Sequence, residues 1–378
     1  MINNNVNNTT DSPSYTFAFA GDLVLDVPEP DHWLGGIAPL LGRVDLAIGH
    51  LEVPHTRRGE ERGGDVPAPG ADPEALYAIQ RAGFDGLTLA GNHIADQGTA
   101  GIEDTMAMLA GTGIAACGAG GNLDKARRPA WLSLGPHSVA LLSYNCVGPE
   151  SSWATTVGSG CAYLPMATSD GGPVTPLSSL ELTAAAREIL AGDIGQVRAK
   201  ADLVVVALHK GIVHTPVVLA QYERPLAHAA VDAGADIVVG HHAHIVRGIE
   251  VYMGKPIFHG LGNGCVVTNA LAPDQSHADR AEWSRRRREL FNFEPDPAYT
   301  LAPFHPEAVN AMLGYVRWTP GGSLEAGILP VHVEAPGRPV AADVVRAREI
   351  ADYIERISLA AGLPAVRIEQ DSDAWRLV

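Results

Sequence analysis

Cysteine is scarce in this chain: its 378 residues contain four, Cys117, Cys146, Cys161 and Cys265, widely separated and forming no C-x-x-C pair. That distribution excludes a disulfide framework and a thiolate zinc site. Basic residues are outnumbered, 27 against 43 acidic ones, for a formal net charge of −16. A surface of that sign repels nucleic acid and anionic membranes, which are bound mainly through basic patches, so neither is expected as a partner. The single dense basic run, Arg285 to Arg288, has two readings, an anion site or a solvated helix face, and the second is the ordinary one. Long apolar runs are missing too, and none approaches the roughly 20 residues of a membrane helix. Met1 to Ser14 is rich in Asn and Thr and shows neither the basic nor the apolar region of a signal peptide. A cytoplasmic protein is the expectation.

What is present is ordinary globular composition, 46% apolar and 19% charged, at a length that suits one large α/β unit or two unequal ones. Short β-rich runs alternate with helical stretches, the pattern of α/β layering. Strands are predicted at Tyr15 to Ala20, Val44 to Leu51, Gly86 to Ala90, Ser138 to Tyr144, Leu203 to Leu208, Asp236 to Val239 and Pro256 to Gly260, then at Met312 to Trp318 and Gly327 to Val333. Helices are predicted at Pro73 to Ala82, Ala100 to Ala110, Leu180 to Ala199, Leu219 to Ala233 and Ala341 to Ala360. One domain is expected over residues 15–335, with residues 336–378 a helical segment packed on it. Two loop-like excursions, residues 148–176 and 267–305, are long enough to be read as lids over a site.

The chemistry collects where apolar runs end. Ala82-Gly83-Phe84-Asp85 before Gly86 to His93, and Ala233-Gly234-Ala235-Asp236 before Ile237 to His244, share one design: a helix closed by Gly, a buried strand, then polar ligand-type residues. Open α/β sheets place their sites at such strand ends. Three of the 15 His residues fall in Gly240-His241-His242-Ala243-His244, and the i, i+2 spacing of His242 and His244 suits a turn presenting two imidazoles to one point. Leu203 to Leu208 ends in His209, and Leu87 to Ala90 leads into Gly91-Asn92-His93, an amide oxygen for a metal beside an imidazole able to protonate a leaving group. Asp22 and Glu52 follow two more strands, where either acid alone is equally an N-cap. Two carboxylates, an Asn and three imidazoles suit two borderline divalent ions, Mn²⁺, Zn²⁺ or Fe²⁺, better than Ca²⁺. A structural zinc would want a closed Cys-rich shell, which is lacking. His277, in the second excursion, is expected to hold no metal.

In this order and spacing the residues resemble the bacterial capsule-synthesis proteins of the CapA type, involved in poly-γ-glutamate assembly, within the calcineurin-like metallophosphoesterase superfamily. The resemblance runs from about Phe17 to Val266, through Gly21-Asp22, Leu51-Glu52, Asn92-His93 with Asp96 and Gly98, His209, Gly240 to His244 and Gly262-Asn263. It implies a four-layer α/β/β/α sandwich with the site at the edge shared by two central sheets. It also implies that Asp22 and His244 hold one metal and Asn92, His209 and His242 the other, with Glu52 bridging. His93, with Asp96 near it, would be the acid or electrostatic group, and the doubled His leaves His241 as an alternative ligand by a one-residue shift. Three departures stand out: His50 where such proteins usually have Asn, Lys210 for a Trp, and Gly264 for an aromatic. They point to a substrate of this chain's own, with Lys210 read either as a contact to its carboxylate or phosphate or as a plain exposed lysine. The expected function is a soluble metal-dependent hydrolase. Its dinuclear centre would activate water against a phosphoester, by the superfamily, or against an amide or lactone of a small-molecule or γ-glutamyl-type substrate, by the polyglutamate connection. The alternative is a non-catalytic scaffold or transport component of polyglutamate assembly.

Overall fold

The structure, a computed structural model, describes residues 13–62, 68–175, 178–270, 278–301, 304–372 and 374–378, with backbone alone at 279, 283, 284, 287, 288, 290 and 291. The first 12 residues, His277 and the side chains of Arg287 and Arg288 lie outside the described residues.

Leu203–His209 reads Leu-Val-Val-Val-Ala-Leu-His and is buried at every position, as a parallel strand covered on both faces must be. It sits inside a six-stranded sheet, in the order Ile249–Tyr252, Lys255–Phe258, Ile237–His241, Leu203–His209, His137–Asn145, Ala130–Leu134. A ten-stranded sheet is built around Tyr15–Leu25, which pairs in parallel with Leu46–Leu51 and antiparallel with Asn310–Trp318. Gly86–Thr88 and Ala115–Cys117 extend the parallel side, and Leu324–Glu334 the antiparallel side.

The two sheets lie face to face, and the side-chain period of two decides what each position meets. Phe17, Phe19, Leu46, Ile48, Leu141, Val205, Ala207, Ile237 and Val239 form the core between the sheets. Their alternates Ala18, Ala47, Ala140, Val204, Val206 and Val238 pack outward. There they join Ile79 of Ala75–Ala82, Ile102 of Gly98–Thr112, Ile194 of Ala184–Arg198 and Leu226 of Glu223–Asp232. The result is the expected four-layer α/β/β/α sandwich. Carried two residues further, the inner face turns polar at the strand ends: Ile48 is followed by His50, Ala207 by His209 and Val239 by His241.

Several elements differ from expectation for non-local reasons. Tyr15–Leu25 continues past Ala20 because Asp22 to Leu25 pair with Asn263–Val267, a strand whose Asn-Gly start reads locally as a turn. The C-terminal segment is not only helical: Trp375–Leu377 pairs with Leu324–Glu334, while Ile350, Ile354 and Ile357 of Val344–Ala360 fill the core between the sheets. The second excursion contains the helix Ala278–Phe291, where Arg285 pairs with Glu282 on the same helix at 2.6 Å. Among the described residues, no helix is long and apolar enough to cross a membrane.

Lys210 is a correction. Strand alternation sends it to the outer face, opposite His209, where Nζ is fully buried, 2.8 Å from Glu223 Oε2 and 3.1 Å from the His259 carbonyl. It does not lie exposed, and its charge is already engaged by Glu223. Burial works against the Glu223 charge, but Lys210 and Arg247 bring its carboxyl down to about 2. Arg247 in turn binds the Ile212 and Val218 carbonyls, so this buried triad fastens the segment that follows Lys210. Removing one member of such a group strands a charge in the interior. Lys210→Met is therefore expected to lose about 3 kcal/mol of unfolding free energy in urea titrations, and a stability equal to that of the unmodified protein would contradict this.

Candidate metal centre

Asp22 and Glu52 are both buried, at 0% and 1% exposure, and within described residues their ion pairs are to histidines alone. His244 Nε2 lies 3.2 Å from Glu52 Oε1, and His244 Nδ1 lies 3.7 Å from Asp22 Oδ2. His244 Nδ1 is also 2.9 Å from Asn263 Oδ1, and Asn263 is the register partner of Asp22. Burial and the neighbouring Glu52 push the Asp22 carboxyl up, against the pull of His244. For Glu52 burial also acts upward, but His244, with His93 and His50 behind it, brings the carboxyl down to about 2. His244 itself is lifted to about 9, since Glu52 and Asp22 outweigh its own burial. In effect the His244 imidazolium compensates the Glu52 carboxylate, while Asp22 is biased toward its protonated form.

Beside this group lies a cluster of imidazoles. His209 Nε2 is 2.7 Å from Asn92 Oδ1 and 3.2 Å from His242 Nδ1, so Asn92, His209 and His242 do meet. The His242 backbone N–H points at Asp22, 3.3 Å from Oδ2. Burial first, then the surrounding histidines, hold His209 well below its usual range, and burial with His244 takes His242 down to about 3. These rings are neutral and present lone pairs. His242 and His244 take left-handed backbone, φ 86° and 52°, which for residues other than Gly costs on the order of 1–3 kcal/mol each and is typical of functional loops.

The donor set fits divalent cations. Glu52 Oε2, His50 Nε2, His209 Nδ1, His241 Nδ1 and His242 Nε2 are buried without a hydrogen-bond partner, a costly arrangement unless something else engages them. Among the described His, Cys, Asp and Glu residues, two groups bring one ligand atom each within 4.8 Å: Asp22 with Glu52 and His244, and Asp22 with His50 and His209. Asp22 is the residue they share, whereas the resemblance implies that Glu52 bridges.

His93 stands at the rim. Its Nδ1 is 2.7 Å from Asp96 Oδ2, which also accepts the Ala68 N–H at 2.9 Å, and it exerts charge effects on both Asp22 and Glu52. The Asp96 contact fixes the orientation of the His93 ring. The excursions form the walls. Pro149, Ser151 and Ser152 line a narrow cleft with Asn92, Asp96 and the exposed Arg62. Phe293 and Phe304 stand edge-on to His214, at 5.5 and 5.8 Å between ring centres, and His214 stacks on His244 at 5.9 Å.

Sequence reasoning assigned no role to His50, Asn263, His214 or Arg62. His50 had a signal, its i, i+2 spacing from Glu52 in a strand. Asn263 had one too, as part of Gly262-Asn263 in the resemblance, whereas His214 and Arg62 reach the site through loops that local sequence does not encode.

A family model described as "Bacterial capsule synthesis protein PGA_cap" matches residues 4–266. A probable polyglutamine synthesis accessory protein of Mycobacterium tuberculosis is 31% identical over 222 residues, 58% of this chain and 55% of that one. The capsule biosynthesis protein CapA of Bacillus anthracis is 29% identical over 236 residues, 62% and 53% of the two chains. The PGA biosynthesis protein CapA of Bacillus subtilis is 30% identical over 236 residues, 60% and 54%. The chain thus spans about half the length of these relatives. A solved putative 5′-nucleotidase from Staphylococcus aureus superposes with a TM-score of 0.44 at 14% identity, over 91% of this chain and 59% of that one.

With its pKa near 9, His244 carries a proton at neutral pH in the metal-free protein, and that proton must leave before the ring can bind a cation. Metal titration calorimetry in two buffers of different ionisation enthalpy should therefore report release of about one proton. The apparent affinity should rise with pH and level off near 9. Heats independent of the buffer would show that His244 is not displaced by the ion.

Proposed function

The chain belongs to the bacterial capsule synthesis protein family, and from that premise we propose that it is a metal-dependent hydrolase. The observation that carries this reading is the concentration of buried imidazole nitrogens without hydrogen-bond partners beside two buried carboxyl groups at the strand ends. Asp22, Glu52 and His244 would hold one divalent ion and Asn92, His209 and His242 a second, with manganese, zinc or iron suited to the mixed nitrogen and oxygen donors. Such ions, when bound, lower the pKa of water and stabilise negative charge on the group under attack.

The chain's own residues supply the rest. Asp96 accepts from His93 Nδ1 and so fixes the ring, leaving Nε2 as the nitrogen that donates a proton to the departing oxygen or nitrogen as its bond to phosphorus or carbon breaks. Among the described residues, Arg62 is the cation lining the cleft at Asn92, and it suits a substrate with a phosphate or a carboxylate. A phosphoester and a γ-glutamyl amide or lactone both meet that requirement. The second reading, a non-catalytic component of polyglutamate assembly, draws on the Mycobacterium tuberculosis relative, which is described as an accessory protein.

The two readings separate on turnover. Phosphomonoesters, phosphodiesters, γ-glutamyl amides and lactones should be offered with Mn²⁺, Zn²⁺ or Fe²⁺, and the hydrolase reading expects one class to be cleaved. No turnover of any class by metal-loaded protein would favour the accessory role. On a cleaved substrate with a poor leaving group, His93→Ala is expected to keep its metal and lose about 10²- to 10⁴-fold in kcat, with KM little changed. A substrate with an activated leaving group should suffer less. An unchanged kcat on the poor substrate would remove His93 from the mechanism.

A further inference from the structure

We propose that His50 is itself a metal ligand, joining Asp22 and His209 in a nitrogen-rich pocket beside the Asp22, Glu52 and His244 group. This rests on the metal-centre reading above and assigns the centre a further imidazole. Strand geometry places it there. His50 is the register partner of Asp22 on one side and of Thr88 on the other, and the period of two puts its side chain on the face that carries Ile48 and Glu52. It is fully buried, and its ring lies 4.7 Å from that of His209 and 4.6 Å from that of His241.

The hydrogen bonding accommodates the tautomer a ligand needs. Thr88 Oγ1 lies 3.3 Å from the Gly49 carbonyl, which can take its proton, and 2.9 Å from His50 Nδ1, from which it can then accept. His50 Nε2 then carries a lone pair, buried and without a hydrogen-bond partner. The opposite tautomer would bury an unpaired N–H. An outer partner that takes one ring N–H and so aims the other nitrogen is the usual support of a metal-binding histidine. Space is provided by Gly91, where a Cβ would stand 2.9 Å from His50 Nε2 and 3.3 Å from His209 Cε1. A residue other than Gly there would crowd the two rings.

A further imidazole favours Zn²⁺, Co²⁺ or Fe²⁺ over Mg²⁺ and Mn²⁺ at that position. The test is zinc affinity by competition with a chromophoric chelator, together with the visible absorption of Co²⁺-loaded protein, for the unmodified chain, His50→Asn and Thr88→Val. We expect His50→Asn to weaken zinc at one of two sites by about 100-fold and to alter the cobalt bands. Thr88→Val, which keeps the ring and removes the group that orients it, should weaken the same site by about tenfold. Zinc affinities and cobalt spectra unchanged in both variants would make His50 a packing residue and overturn the proposal. If His50→Asn does not fold, an unchanged Thr88→Val overturns it alone. Failure of the unmodified chain to bind zinc or cobalt would instead defeat the metal-centre reading itself.

Discussion

Two carboxylates, Asp22 and Glu52, are held in the interior where water cannot solvate them, and within the described residues their ion pairs are to histidines only. Interior like charges are tolerated only when positive charge and hydrogen bonds surround them. The rest of the site follows from that demand. Asn263 sets the His244 ring, the His242 backbone turns its N–H toward Asp22, and the loop accepts left-handed backbone at two histidines to do so. A rigid parallel frame is what makes such geometry affordable, since strands buried on both faces leave the ends little freedom.

The frame also explains why histidines lie so deep. They occupy the same face that, a few residues earlier in each strand, packs Ile48, Ala207 and Val239 between the sheets. The hydrophobic core and the site are consecutive parts of one surface. Burial therefore keeps His50, His209 and His242 neutral, with lone pairs available, while His244 is kept charged by the carboxylates.

Much of this was legible in the sequence because an apolar run that stops at Asp, Glu, Asn or His marks both a strand and its end. Asp22, Glu52, Asn92, His209, His242 and His244 were found that way, and the structure brings them together. Lys210 was misread because the strand pattern shows alternation but not what waits on the other face. Its partner Glu223 begins a helix that folds back over the sheet. His50 was noticed only as a departure from the family pattern, because the Thr88 hydroxyl that accommodates its tautomer and the glycine that makes room beside it belong to another strand and the turn beyond it. Asn263 reaches Asp22 only through a pairing between distant parts of the chain.

We propose that these residues hold two divalent ions in places fixed by the fold. Anomalous diffraction from crystals of zinc-loaded protein, collected on both sides of the metal absorption edge, tests it most directly. The account predicts two anomalous peaks per chain, one bounded by Asp22, Glu52 and His244 and the other by Asn92, His209 and His242. A single peak, or none within bonding distance of these side chains in metal-replete crystals, would contradict it.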